Sequence, residues 1–156
     1  MTATGGGQVR RARVADLPHV ARMAAEHAAY AEAAPPPPDL ARRLEALLFG
    51  THAPRLRCFV AESDDGELIG YASCAPEVST WDGAEYLHMD CLFLRAGHRG
   101  LKVGPLLVEA VVAEARALGL GHVQWQTPPW NTDAIRFYDR LGGRAKEKLR
   151  YHLPVD

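Results

Sequence analysis

The chain predicts a mixed α/β fold with a mostly antiparallel sheet, and three features of its 156 residues carry that reading. Apolar runs flank the turn Asp64-Asp65-Gly66, apolar residues recur at three- and four-residue spacing in several segments, and a strand–helix–strand unit fills the second half. Hairpins followed by such a unit put parallel and antiparallel strands in one sheet. A hydrophobic fraction of 47% is enough for one core, so residues 8–156 are expected as a single domain behind a loose tail at 1–7.

The elements follow in order. Gln8–Val14 is a short β-compatible run, after which Asp16 is placed to cap a helix with Pro18 in its first turn. Leu17, Val20, Met23 and Ala24 give that helix one buried face to about Tyr30, and Pro35–Pro38 forbid its continuation. Asp39 is placed to cap a second helix through Leu40, Leu44 and Leu48, which Gly50 ends. Arg57–Ser63 and Glu67–Ala75 form a hairpin, and Glu85–Leu94 is the next strand. Val103–Leu118 is a helix, His122–Thr127 a strand, and Asn131 or Thr132 caps a helix through Leu141 that Gly142–Gly143 end. Glu147–Leu153 is expected as a last strand, giving the order βααβββαβαβ.

Composition narrows the partners. A formal net charge of −1 without a basic block points to neither nucleic acid nor a membrane surface, and leaves a small molecule as the expected partner. Cys58, Cys74 and Cys91 stand singly in apolar segments, which fits neither a disulfide framework nor a CxxC metal site. The seven histidines form no HExxH pair, so no metal is expected. No apolar run of secretory type opens the chain and none approaches the roughly 18 residues of a membrane span, so the cytoplasm is the expected compartment.

Arg99-Gly100-Leu101-Lys102-Val103-Gly104 lies between an expected strand and a long expected helix. The first N–H groups of a helix lack internal partners and its dipole favours negative charge, so a phosphate can dock there. Gly100 and Gly104 allow close backbone approach, while Arg99 and Lys102 add positive charge. On spacing alone a plain strand-to-helix turn is an equal alternative.

A second signature, Asn131 through Gly142 with Ala134, Phe137 and Tyr138, stands downstream. Together the two motifs resemble the GNAT acetyltransferases, whose turn reads approximately Arg/Gln-x-x-Gly-x-Gly/Ala and whose later helix reads approximately Asn-x-x-Ala-x-x-Phe-Tyr-x-x-x-Gly. Lys102 departs from the pattern by standing where the family has its middle glycine, which a negative φ would allow. Tyr30 at its helix end, Trp81-Asp82-Gly83, Tyr86–Leu94 and Trp130-Asn131 extend the likeness to diamine acetyltransferases. Those enzymes carry a Glu-Asp pair on the central strand where this chain has Asp90-Cys91, and a Glu where it has Ala31.

The resemblance implies a twisted, mostly antiparallel sheet splayed at its fourth and fifth strands with helices on both faces. It also implies acetyl-CoA as co-substrate, a small-molecule primary amine as acceptor (a diamine, polyamine, lysine-like amino acid or amine-bearing antibiotic), direct transfer in a ternary complex, and a homodimer meeting at its C-terminal strands. A protein or peptide amine is the alternative acceptor, and a non-catalytic acyl-CoA-binding module the alternative from another class.

Roles follow residue by residue. Leu92 and Leu94 are expected to offer backbone groups to the pantetheine arm, with an N–H near Leu92 facing the thioester oxygen. Arg99, Gly100, Leu101, Lys102, Val103 and Gly104 form the phosphate turn. Tyr138, protonated at neutral pH, is expected to return a proton to the leaving thiolate, the alternative being a core aromatic. Asn131 caps its helix or holds the coenzyme arm. Asp90 is the candidate to orient or deprotonate the amine, with His88 on the same strand face able to share the role, and Met89 and Cys91 pointing the other way. Trp81, Trp130 and Tyr30 are candidates to line the acceptor site, and Cys91 is expected as a buried thiol, not an acyl carrier.

Overall fold

The computed structural model describes residues 2–3, 7–52, 54–98 and 102–156, which divide into two compact units, Met1–Trp125 and Gln126–Asp156. The first unit holds β1 (Thr2–Ala3), β2 (Gly7–Arg11), α1 (Leu17–Tyr30), α2 (Leu40–Phe49), β3 (Arg57–Glu62), β4 (Leu68–Ser79), β5 (Ala84–Leu94), α3 (Val103–Ala117) and β6 (Val123–Gln124). The strands lie in sequence order, antiparallel throughout except for the parallel pair β5–β6. Thr2–Ala3, expected within a tail, pair with Gly7–Gln8.

Side chains alternate across the sheet and feed two separate cores. Along β3, Phe59 and Ala61 join a cluster built on Leu107, Val111 and Ala115 of α3, whereas Cys58 and Val60 join one built on Leu17, Val20 and Met23 of α1 and Leu48 of α2. Each fully buried Leu or Val contributes roughly 2 kcal/mol, so the apolar stripe of α3 alone fixes that helix to the sheet. Gly70 permits close packing at the far end, because a Cβ there would meet Leu94 Cδ2 at 2.5 Å and the Phe93 carbonyl at 2.6 Å.

Ion pairs tie the elements together. Arg10 on β2 bonds Asp16 in a fork at 2.7 and 3.0 Å and Glu62 at 2.8 Å. Asp16 therefore does not cap α1 with its side chain as expected; it accepts from Arg10 and from the Arg13 N–H at 2.7 Å, a stronger set of charge-assisted partners. Asp39 likewise offers α2 no side-chain cap and pairs with Arg42 and Arg43. On the other face, Glu114 of α3 bonds Arg11 at 2.7 Å and Arg57 at 2.9 Å, and Arg11 lies over the Phe59 ring at 5.0 Å.

The second unit contains α4 (Thr132–Arg140). The Asn131 side chain accepts the Ala134 N–H at 3.3 Å, and Gly142 at φ +91° closes the helix as its N–H bonds Asp139 O and that of Gly143 bonds Tyr138 O. Residues 147–153 form no strand, contrary to expectation. The alternation of Leu149, Tyr151 and Leu153 is present, but a strand exists only within a ladder, and these residues stand 82–87% exposed.

Candidate active site

The central feature is a bulge on β5. Ser73 of β4 opposes Cys91 and its neighbour Cys74 opposes Met89, so Asp90 is an extra residue with no partner in the register. One inserted residue reverses the faces beyond it. Leu87 and Met89 are buried in the α3 core, yet Cys91 and Phe93 face the α1–α2 core while Leu92 and Leu94 pack towards α3. Met89 and Cys91 therefore do not share a face, correcting the expectation of simple alternation.

The bulge sits where the sheet parts. β5 and β6 pair only at Leu87↔Val123 and His88↔Gln124, with the Leu87 N–H also bonding His122 O at 2.9 Å. β6 stops there, shorter than the expected His122–Thr127, and the described register leaves β5 from Met89 to Leu94 running on without it. Pairing between these two strands ends at His88↔Gln124.

At the bulge, Asp90 Oδ1 lies 3.6 Å from His88 Nε2 and Asp90 Oδ2 accepts from Cys91 Sγ at 3.6 Å. The carboxylate is 64% exposed and the imidazole 20%, so an exposed acid is backed by a half-buried base. Burial and the neighbouring Asp90 charge push the Cys91 thiol up, against the smaller opposing influence of the Tyr71 and Ser73 hydroxyls. A neutral buried thiol is a poor nucleophile, which agrees with a packing role for Cys91. Burial holds Cys58 and Cys74 up to about 12.

The start of α3 is the second component. Val103 and Gly104 are buried in its first turn, and Lys102 in the cap position gives no side-chain hydrogen bond. Lys102 has φ +60°, not the negative value that the side chain would favour, so it occupies a left-handed position suited to glycine. Arg99, Gly100 and Leu101 lie outside the described residues. Just before them, His98 Nδ1 is buried without a hydrogen-bond partner among the described residues, an atom that fits a polar ligand at this turn.

The remaining candidates are distributed. Tyr30 ends α1 and is 46% exposed, while His27 one turn earlier stacks on Phe93 at 5.2 Å. Trp81 is 96% exposed at the tip of the β4–β5 hairpin, about 20 Å along the strand from Asp90 at the usual rise per residue, so the two are not brought together within one chain. In the second unit Tyr138 packs beside Phe137, ring centroids 5.5 Å apart, on the helix that Asn131 caps, and Trp130 precedes it, half exposed.

Cavities flank the first unit's helices among the described residues. An open one of about 520 Å³ is lined by Arg10, Asp16 and Arg95, whose charges are already engaged with one another or with Glu62, Glu26 and Glu67. Another, about 150 Å³, lies between α1, α2 and the sheet and reaches Asp90 and Cys91. Sequence reasoning missed Tyr71 and Ser73 on its floor, since an apolar strand gives no sign of which residues meet the bulge. Among the described residues no cluster of His, Cys, Asp and Glu is arranged for a metal, and no helix is long and apolar enough to cross a membrane.

A sequence profile of the acetyltransferase (GNAT) family matches residues 20–143. The chain is 29% identical over 87 residues to an L-ornithine N5-acetyltransferase of Arabidopsis thaliana, covering 56% of this chain and 38% of that protein. It is 35% identical over 86 residues to a streptothricin acetyltransferase of Streptomyces lavendulae, covering 55% and 43%. With a thialysine N-epsilon-acetyltransferase of Caenorhabditis elegans it shares 32% over 83 residues, covering 53% and 49%. The matched stretches thus span half or less of these relatives. Among solved structures, a Trypanosoma brucei acetyltransferase superposes with a TM-score of 0.72 at 20% identity, covering 94% of this chain and 99% of that one. A metagenomic aminoglycoside acetyltransferase gives 0.74 at 17%, covering 96% and 95%.

Proposed function

The chain belongs to the GNAT family of acetyltransferases, and on that premise we propose that it transfers acetyl from acetyl-CoA directly to the primary amine of a small molecule in a ternary complex. The observation that carries it is the bulge at Asp90, which turns a carboxylate outward where β5 leaves β6.

The amine arrives as an ammonium, pairs with Asp90, and loses its proton to Asp90 or His88 directly or through water. Its lone pair then attacks the thioester carbon to give a tetrahedral intermediate; as this collapses the C–S bond breaks, and the nitrogen's second proton leaves through water, which returns a proton to Tyr138. The backbone of Leu92 and Leu94 supports the pantetheine arm, and the Leu92 N–H steadies the oxygen as it gains charge, a contact commonly worth ~3 kcal/mol. Arg99 through Gly104 hold the diphosphate at the α3 N-terminus, Asn131 supports the arm, and Tyr138 gives its proton to the departing thiolate. The small-molecule amines in the names of the Arabidopsis, Streptomyces and Caenorhabditis relatives support this acceptor class.

We further propose that the enzyme works as a cytoplasmic homodimer, its 147–153 segment pairing with that of a second copy. The exposed alternation of Leu149, Tyr151 and Leu153 supports that contact. Sedimentation tests it, and a monomer at micromolar concentration would refute it. The transfer itself is tested by following free thiol from acetyl-CoA across a panel of primary amines. Acetyl-CoA that binds yet releases no thiol with any amine would overturn the proposed reaction.

A further inference from the structure

The cavity of about 150 Å³ under the α1–α2 pair reaches the bulge at Asp90 and Cys91, and its apolar wall is built largely of leucines: Leu17 from α1, Leu40, Leu44 and Leu48 from α2, and Leu56 before β3. Its floor is polar but carries no charge: the Tyr71 and Ser73 side chains line it beside the Cys91 sulfur, which donates to Asp90 Oδ2 at 3.6 Å. Burial raises both Tyr71 and Cys91, so each stays uncharged at neutral pH. Asp90 is the one charged side chain among the described lining residues.

That arrangement selects an occupant by charge and by size. One carboxylate at the bulge matches one ammonium, whereas a second ammonium carried among the leucines would lose its hydration with no second anion to replace it. An apolar space of this volume holds a group about the size of benzene, on the order of six carbons. We infer that the cavity takes the hydrocarbon body of the acceptor, so that the substrate is an apolar monoamine of about six carbons with its ammonium on Asp90, and not a diamine or polyamine.

This inference rests on Asp90 being the amine-binding group of the proposed reaction. It implies that Leu44, half-buried on the cavity wall, sets the chain length the enzyme accepts. Lengthening the acceptor within the cavity removes methylenes from water, at about 0.8 kcal/mol each, or roughly fourfold in kcat/KM per carbon. Filling the wall shortens the optimum, and placing an acid there creates a site for a second cation.

The test measures thiol release with ethylamine, n-butylamine, n-hexylamine, n-octylamine, 2-phenylethylamine, putrescine and spermidine. We expect kcat/KM to climb about fourfold per carbon to hexylamine and then level or fall, with putrescine at least tenfold below butylamine. Leu44→Trp should move the optimum to shorter amines, lowering hexylamine relative to ethylamine at least tenfold, and Leu44→Glu should raise putrescine relative to butylamine. A wild-type preference for putrescine or spermidine, or a Leu44→Trp effect equal for all chain lengths, overturns this inference and leaves the transfer reaction standing. Acetyl-CoA that binds yet releases no thiol with any amine overturns both.

Discussion

Met89 and Cys91, two residues apart on one strand, face opposite sides of the sheet, Met89 into the α3 core and Cys91 towards the α1–α2 core. Regular pleating would put them on one face. The extra residue between them, Asp90, absorbs the change, and it does so where β5 leaves β6. The same irregularity therefore exposes the carboxylate, brings Cys91 over the leucine-walled cavity and directs Leu92 and Leu94 towards α3.

If Asp90 receives the ammonium, Asp90→Asn should lower kcat/KM for the amine by about a hundredfold, the usual scale for a positioned acid–base group. The side chain is 64% exposed, so the melting temperature should move by no more than about 1 °C, and acetyl-CoA affinity should hold. His88→Gln should cost less, and the double variant less than the product of the two, because the pair lies 3.6 Å apart. Steady-state kinetics on the four proteins check this; additive effects would separate the two roles.

Tyr138→Phe removes one hydroxyl from α4 and keeps the ring beside Phe137. As the proton donor to the thiolate, its loss should reduce kcat by about a hundredfold and leave acetyl-CoA binding within about twofold. Calorimetric titration beside kinetics distinguishes this from a packing role, which would lower the melting temperature and spare kcat.

Much of the fold is legible in the chain, and the exceptions share a cause. Leu17, Val20 and Met23 announce α1, and Asn131 caps α4 as its type and position suggest. The bulge leaves no mark, because inserting Asp90 changes neither the apolar content nor the length of β5 noticeably. Asp16 has the identity of a cap but finds Arg10, a partner that only the folded sheet supplies. The 147–153 segment has strand alternation without a ladder within its unit. Local pattern reveals elements; residues whose partners are distant in sequence stay hidden until the chain is folded.

Glu114 joins α3 to β2 and β3 through Arg11 and Arg57, and its pKa reports the link. Burial alone would raise it, but the two guanidiniums outweigh that and hold it below its ordinary 4.5. Asp16 is likewise held below 3.8, chiefly by the Arg10 fork. A depressed carboxylate contributes stability that is complete above its unfolded pKa and is lost as pH falls through the folded one. Melting temperature should therefore be flat from pH 7 to about 5 and fall below about 4. Glu114→Gln should lose about 2 kcal/mol at pH 7, since Arg57 would be left nearly buried without its anion, and should flatten the acid limb of the profile.

Lys102 holds φ +60° at the entry to α3, a conformation that costs a non-glycine residue roughly 1–2 kcal/mol. Lys102→Gly removes that strain but gives the unfolded chain more freedom, so the net gain should be about 1 kcal/mol, or some 2–4 °C in melting temperature. If the ammonium earns its place by meeting a coenzyme phosphate, the same variant should raise the KM for acetyl-CoA severalfold, and more at low salt than at high salt, where screening has already weakened the contact. Lys102→Ala separates the two effects, because it keeps the strained backbone and loses only the charge. A glycine variant that is more stable with unchanged KM would show that the lysine contributes nothing to the phosphate turn, leaving the backbone N–H groups of α3 to hold the anion.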